Sequence, residues 1–292
     1  QLPFPQRHKW RELVFWESMG RAAFNTSRFQ EASQAFTKAA TIAETYAQSR
    51  RLLRLLLAKA VSLTRAGEFA KADEVFDKVC SLARQREDNR YLRKCLILRA
   101  ENSFDGGDTA GATRLFLQAR ELVERAVADR AKTGAREEGF SFSFFPRASR
   151  APLELDPEEE LDWIDSWLTR LEKKAGAWMQ AMKRMAERHW RLRDALAATG
   201  DSRLRLDLAY VGNQLASTVL RLGDEAEAER LFRQALEAAC QNGDTNGQNV
   251  NLQNLYLLYL LHGVGNADEL IQEGEKLEEQ LSGEEKIRSM LA

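Results

Sequence analysis

Few side chains in this chain have the types and spacing that catalysis or metal binding requires. The three histidines, His8, His189 and His262, are far apart in the sequence, and none lies at metal-ligand spacing from a cysteine. There is no glycine-rich phosphate loop, no nucleophile elbow and no His-Glu-x-x-His motif. His189 beside Trp190 is more typical of a histidine packed on a helix surface than of a ligand contact or a switch. We therefore expect no catalytic residue, no metal site, no cofactor and no enzymatic activity.

The cysteines indicate a reducing environment. Cys80, Cys95 and Cys240 are odd in number, distant from one another and set in helical patterns. Such residues are usually buried, reduced thiols, which are common in the cytoplasm. We therefore expect a cytoplasmic protein with three buried thiols.

The charge balance and the hydropathy pattern argue against two classes of partner. Lys and Arg number 43 and Asp and Glu number 44, so the chain lacks the basic excess that nucleic-acid binding usually requires. No apolar run is long enough to span a bilayer. The sequence thus predicts neither a nucleic-acid partner nor membrane insertion.

Proline placement favours long helices. The five prolines fall only near the start and in one central stretch, at Pro3, Pro5, Pro146, Pro152 and Pro157. Residues 6–145 and 158–292 contain none, as uninterrupted helices require. Strand patterns are almost absent, and we therefore predict an all-α protein.

A short motif, in which serine or glycine is followed five residues later by alanine, recurs along the chain. It begins at Ser27, Gly67 and Gly107, at intervals of 40 residues, and again later at Gly223. In each copy an alanine, a phenylalanine and a small residue follow at helical spacing. These sets are Ala32, Phe36 and Ala39; Ala72, Phe76 and Val79; Ala112, Phe116 and Ala119; and Ala228, Phe232 and Ala235. A fixed period of this size predicts one helical hairpin stacked repeatedly on itself.

The small residues of the first copy indicate where its two helices approach each other. Gly20 and Ala32 leave room for close contact between the helices, and Trp16 and Phe36 fill the adjacent space. The later tryptophans, of which Trp190 is the last, are likewise more typical of a core than of a ligand cage.

The first copy resembles the tetratricopeptide repeat (TPR) signature, through Trp16, Met19, Gly20, Phe29, Ala32, Phe36 and Ala39. The 40-residue period and the missing closing proline are similar to a long-period subclass, found in kinesin light chains, spindle-orientation adaptors and bacterial peptide-sensing regulators. The resemblance implies a right-handed TPR-like α-solenoid of antiparallel helix pairs with one irregular insertion. It also implies that the first helix of each pair lines a concave groove.

We predict four segments along the chain. About three TPR-like repeats occupy 1–128, an insertion loop containing Phe, Pro and Gly occupies 129–157, a degenerate helical hairpin occupies 158–200, and further repeats with an acidic cap occupy 201–292. The run from Phe140 to Phe145 in the insertion is expected to pack on the helices. The alternative is a docking strand or a plug in the groove.

The resemblance implies a peptide or protein partner, and leaves the oligomeric state open. The candidate contacts are Arg21, Asn25, Arg65, Tyr210, Asn213, Arg221 and Asn254. Asparagine amides both donate and accept hydrogen bonds and therefore suit a peptide backbone, while arginines suit acidic groups. The alternatives are a polar face without function and a peptide- or ligand-responsive regulatory sensor of the bacterial TPR-receptor type.

Two further charged residues, Glu17 and Lys94, are also expected on the groove side. Glu17 occupies a position where the carboxylate clamp of chaperone-binding TPR proteins requires a cation, so we do not expect binding to chaperone tails.

Overall fold

The computed structural model describes residues 4–46, 49–133 and 156–280, and within these ranges the chain forms twelve α-helices and no strand. The helices are α1 (Phe4–Asn25), α2 (Phe29–Thr45), α3 (Ser49–Arg65), α4 (Phe69–Gln85), α5 (Asn89–Asp105), α6 (Thr109–Thr133), α7 (Pro157–Lys174), α8 (Trp178–Thr199), α9 (Ser202–Arg221), α10 (Glu225–Asn242), α11 (Thr245–His262) and α12 (Ala267–Gln280). The predicted all-α class is confirmed. None of these helices has the length and apolarity needed to cross a membrane.

Each copy of the sequence motif begins in the tight turn between the two helices of a hairpin. Ser27, Gly67, Gly107 and Gly223 all have positive φ, from 59° to 90°. Glycine adopts this left-handed conformation without steric cost, which explains its recurrence at this position. We call the odd-numbered helix of each hairpin its first helix and the even-numbered helix its second helix.

The motif residues form the core of the hairpins. Phe36, Phe76, Phe116 and Phe232 are all almost fully buried, and so are the four alanines that precede them in the repeats. In the first hairpin, a Cβ atom on Gly20 would lie only 2.6 Å from Cε1 of Phe36. The predicted close approach of α1 and α2 at Gly20 is therefore confirmed. Trp190, which was expected in the core, is instead exposed, and so is Met19 of the TPR signature.

The turn between α7 and α8, with the start of α8, follows the repeat more closely than its sequence suggests. Gly176 has a φ of 75° in the turn, and Ala181 and Met185 behind it are buried. These three residues repeat the spacing of Gly67, Ala72 and Phe76. Met185 stands where the other copies have phenylalanine. Its flexible thioether side chain fills the same core position, but the change of residue type hides the match in the sequence.

The chain divides into two compact units, residues 1–168 (unit 1) and 169–292 (unit 2), with the boundary inside α7. The helix α6 continues to Thr133, beyond the predicted repeat boundary at 128. The run from Phe140 to Phe145 lies outside the described residues, as do residues 281–292 of the predicted acidic cap.

Neighbouring hairpins pack mainly through the second helix of one and the first helix of the next, as α2 does against α3, and their first helices also meet. In unit 1, α3 lies directly against α5, where Thr64 donates a hydrogen bond of 2.8 Å to Asn102. In unit 2, α9 lies against α11 in the same way. We call the solvent-facing sides of these odd-numbered helices the first-helix face of each unit.

Candidate functional site

The first-helix face of unit 2 begins with an exposed stripe on α9. Leu206, Tyr210, Ser217 and Arg221 are spaced at whole turns of the helix, so that their side chains project on one side. All four are exposed, and 63% of the surface of Tyr210 is accessible to solvent. The opposite side of α9 is buried through Leu215 and its neighbours.

The adjacent helix α11 adds an unusually apolar exposed surface. Its exposed large side chains are Val250, Tyr256, Leu257, Leu260 and Leu261. Leu261 has 74% of its surface in solvent. Isolated exposed leucines are common on soluble proteins, whereas a concentration of them on one helix is typical of an interaction surface.

A buried amide pair fixes α9 against α11 beneath this surface. The Nδ2 atom of Asn213 donates to Oδ1 of Asn251 over 2.9 Å, and Nδ2 of Asn251 donates to the Gly247 carbonyl over 2.8 Å. Both asparagines are buried. The proposed contact between Asn213 and a ligand backbone stays a prediction, and the observed contact of its amide is structural.

The other predicted contacts of unit 2 lie on the same two helices. The guanidinium of Arg221 stacks over the Trp178 ring at 4.2 Å from the ring centroid, which restricts the arginine while it remains exposed. Asn254 is half-buried on α11.

The predicted contacts of unit 1 are Arg21, Asn25 and Arg65. Asn25 is exposed and Arg65 half-buried, each at the last residue of its first helix. Arg21 donates through Nη2 to Oε1 of Glu17 over 2.8 Å. Three predicted contacts thus lie in unit 1 and four in unit 2.

Glu17 lies at the centre of an arginine cluster that the sequence did not predict. Besides Arg21, it accepts hydrogen bonds from Arg54 Nη2 (3.0 Å) and from Arg51 Nε and Nη2 (2.8 and 2.6 Å). Only 3% of the surface of Glu17 is exposed, in contrast to the open position expected from its sequence. The reason is that α3 carries two arginines that cover the carboxylate from the neighbouring hairpin.

A second cluster encloses Lys94, which was also expected to be open to solvent. Lys94 and Arg93 on α5 both form ion pairs with Glu160 on α7, and all three side chains are buried. Burial lowers the pKa of Lys94, and the negative charge of Glu160 opposes that effect. The observed position therefore indicates a structural role for Lys94.

The histidines and cysteines are distributed without a shared site. His8, His189 and His262 lie on α1, α8 and α11. Burial lowers the pKa of the half-buried His189, and the charges of Arg193 and Arg230 lower it further. Across the described ranges, no group of three or more His, Cys, Asp or Glu side chains is arranged to hold a metal ion.

Two of the three cysteines are adjacent thiols in the core. Cys80 on α4 and Cys95 on α5 are free and fully buried, with their sulfur atoms 2.6 Å apart. Burial raises the pKa of Cys95 well above its ordinary value, which keeps this thiol protonated. Cys240 is exposed, so the expectation that all three are buried is wrong for this residue.

Comparison with solved structures identifies the architecture. BtubC (BKLC) from P. vanneervenii is 15% identical, with a TM-score of 0.54 over 87% of this chain and 92% of its own. A kinesin light chain from Podosopora anserina with nearly identical TPR-like repeats is 16% identical, with a TM-score of 0.53 over 83% of this chain and 99% of its own. The chain has a TPR-like fold. Because these two proteins are only 15% and 16% identical to this chain, their similarity establishes the fold alone.

A looser match concerns the predicted alternative of a peptide receptor. The Rap conjugation gene regulator of the plasmid pLS20, solved with a Phr peptide, is 14% identical, with a TM-score of 0.45 over 96% of this chain and 66% of its own. A TM-score this low supports no statement about function. No protein-family model and no curated protein sequence matches this TPR-like chain.

Proposed function

We propose that this chain is a protein-interaction scaffold that binds a peptide or protein segment on its first-helix faces. The observation that carries the proposal is the exposed apolar surface of α9 and α11 in unit 2. Tyr210 and Leu261 each leave most of their surface in solvent, although Leu215 and Leu255 on the same two helices are buried. Covering such side chains contributes about 25 cal/mol for each Å² of apolar surface removed from water.

The polar residues around this surface suit the recognition of a peptide. Arg221 is exposed and held in place by Trp178, so it can pair with an acidic group at a reduced entropic cost. Asn254 is half-buried on α11 and has an amide that can bond to a peptide backbone. The proposed ligand is therefore an extended or helical segment with apolar side chains, anchored by these polar contacts. Catalysis has no part in the proposed function.

Substitution of Tyr210 tests this proposal. Peptides would be selected on the full chain from a random phage-displayed library, and their affinities measured by calorimetry. We expect Tyr210→Ala to weaken the selected peptides about fivefold or more, because exposed tyrosines at interfaces are frequent energetic anchors. Leu257→Ala on α11 should weaken them in the same direction.

The matched control is Met179→Ala, which removes an exposed apolar side chain from the second helix α8 of the same unit. The Met179→Ala variant should bind the selected peptides with the same affinity as the unmodified chain. If Met179→Ala weakened binding as much as Tyr210→Ala, or if Tyr210→Ala had no effect on any selected peptide, the proposed binding surface would be wrong.

A further inference from the structure

The buried thiols of Cys80 and Cys95 are placed to react with each other. Cys80 lies on α4 and Cys95 on α5, so the pair spans the junction between two successive hairpins. Their sulfur atoms are 2.6 Å apart, and both thiols are free. A disulfide bond is about 2.05 Å long, so a shift of roughly half an ångström brings the two sulfur atoms to bonding distance.

A hydrogen bond orients Cys95 toward this partner. The Cys95 thiol donates to the backbone carbonyl of Phe76 over 3.2 Å. Phe76 precedes Cys80 by about one turn of α4, so this bond holds the Cys95 side chain against the part of α4 that carries Cys80. Both cysteines are fully buried. The surrounding structure therefore holds the two reacting groups in contact before any reaction takes place.

The repeat does not require sulfur at these two positions. The equivalent junction between α2 and α3 has Ala40 and Leu55, each 40 residues earlier in the chain, and both are buried. Alanine and leucine thus satisfy the same helix contact without a thiol. The two cysteines at the junction of α4 and α5 add a reactivity that packing alone does not need.

The two thiols differ in acidity. A hydrogen bond with Cys95 lowers the pKa of Cys80, and the positive charges of Arg84 and Arg99 lower it further, against the opposing effect of burial. Burial raises the pKa of Cys95 well above its ordinary value. Because the thiolate is the nucleophilic form of cysteine, Cys80 is the sulfur that reacts first and Cys95 the sulfur that follows.

We propose that Cys80 and Cys95 form a site of reversible oxidation, at which a peroxide converts the two thiols into a disulfide bond. With hydrogen peroxide, the Cys80 thiolate attacks one oxygen and the O–O bond breaks. The hydroxide that leaves takes up the proton that Cys80 lost, and Cys80 becomes a sulfenic acid. The Cys95 sulfur then attacks the Cys80 sulfur, the S–O bond breaks, and the Cys95 proton leaves in a second water. The two electrons that reduce the peroxide come from the two sulfur atoms.

The bond joins the hairpin of α3 and α4 to the hairpin of α5 and α6. The two cysteines are 15 residues apart, and a cross-link over such a loop stabilises a fold by restricting the unfolded chain. The oxidised chain should therefore be more stable than the reduced chain, and a dithiol reductant should reverse the gain. Both cysteines lie in unit 1, so the proposal does not depend on the peptide-binding surface of unit 2.

Mass spectrometry of the full chain tests the site directly. Cys240→Ser removes the exposed third thiol, and this variant is exposed to hydrogen peroxide for several hours, because buried thiols react through local opening of the fold. The chain is then alkylated in denaturant and digested with trypsin. Trypsin cuts on both sides of each remaining cysteine, so the disulfide joins the peptides 79–84 and 95–99.

We expect this joined pair of peptides as the main product, and its loss after treatment with dithiothreitol. Recovery of both cysteines as alkylated thiols after exposure to peroxide would overturn the proposal. So would conversion of Cys80 to a sulfinic acid with Cys95 still free, because the two sulfur atoms would then not react with each other.

Thermal unfolding gives a second readout with a matched control. Peroxide should raise the Tm of the Cys240→Ser chain by about 5 °C or more, and dithiothreitol should return it to the starting value. The control adds Cys80→Ala and Cys95→Leu, the residues that occupy the equivalent junction of α2 and α3. Its Tm should not rise with peroxide. A rise of equal size in the control, or in neither protein, would contradict the proposed bond.

Discussion

Replacing Glu160 by alanine is expected to lower the free energy of unfolding by about 3–5 kcal/mol, because it removes a buried carboxylate that forms ion pairs with two buried cations. The carboxylate is only 1% exposed and pairs with Arg93 and Lys94, whose side chains are also buried. Burial already lowers the pKa of Lys94, so the loss of Glu160 should favour its neutral form. Chemical denaturation with urea measures the change.

Two variants place this prediction in context. Glu121→Ala removes an exposed ion pair with Arg125 on α6 and should change stability by no more than about 0.5 kcal/mol. Replacing Glu160, Arg93 and Lys94 together by methionine should recover most of the loss, because an apolar set of similar volume needs no charge compensation. A loss below about 1 kcal/mol for Glu160→Ala would show that water reaches the cluster and that its burial has been misjudged.

Gly20→Ala is expected to destabilise the chain by about 1–2 kcal/mol, although alanine favours helices. The added Cβ would lie 2.6 Å from the Phe36 ring, which is almost fully buried. Overpacking of this kind costs about 1–3 kcal/mol, and the helix preference of alanine returns up to about 1 kcal/mol. The midpoint of thermal or urea unfolding measures the net effect.

The matched control is Gly274→Ala on α12, where the added methyl group meets no atom of the described residues within 4 Å besides its own helix backbone. That variant should be neutral or more stable by up to about 1 kcal/mol. Combining Gly20→Ala with Phe36→Leu should cost less than the sum of the two single changes, since the smaller side chain frees space. If the destabilisation of the double variant equalled the sum of the two single effects, Gly20 and Phe36 would not compete for the same space between the helices.

The repeat architecture was predictable because the same steric requirement recurs in every hairpin. A left-handed turn favours glycine, as at Gly67 and Gly223, and the helix contact behind it favours alanine, as at Ala72 and Ala228. These demands act over a few residues and are therefore visible in the sequence. The hairpin at Gly176 was recognised less well, because Met185 replaces the expected phenylalanine.

The environment of the charged residues was not predictable in the same way. Glu17 and Lys94 were expected on the groove side, but each meets partners from another hairpin. Such a contact depends on which residues the next helix presents, roughly one repeat or more away in the sequence. Helical periodicity within one hairpin gives no information about it.

The exposed contacts of unit 2 could be predicted from the sequence only in part. Tyr210 and Arg221 were identified by their position on a first helix, and the structure places both in solvent. The apolar surface of α11 was missed, because its run of leucines and tyrosines is equally typical of a buried helix. Only the exposure of Leu257 and Leu261 to solvent distinguishes the two.

Hydrogen–deuterium exchange of the full chain, with and without a library-selected peptide, tests the central claim most directly. If the first-helix faces bind the peptide, amide exchange should slow in α9 and α11 of unit 2, with little change in the second helices α8 and α10. Protection confined to α8 and α10 by a peptide that demonstrably binds would contradict the account.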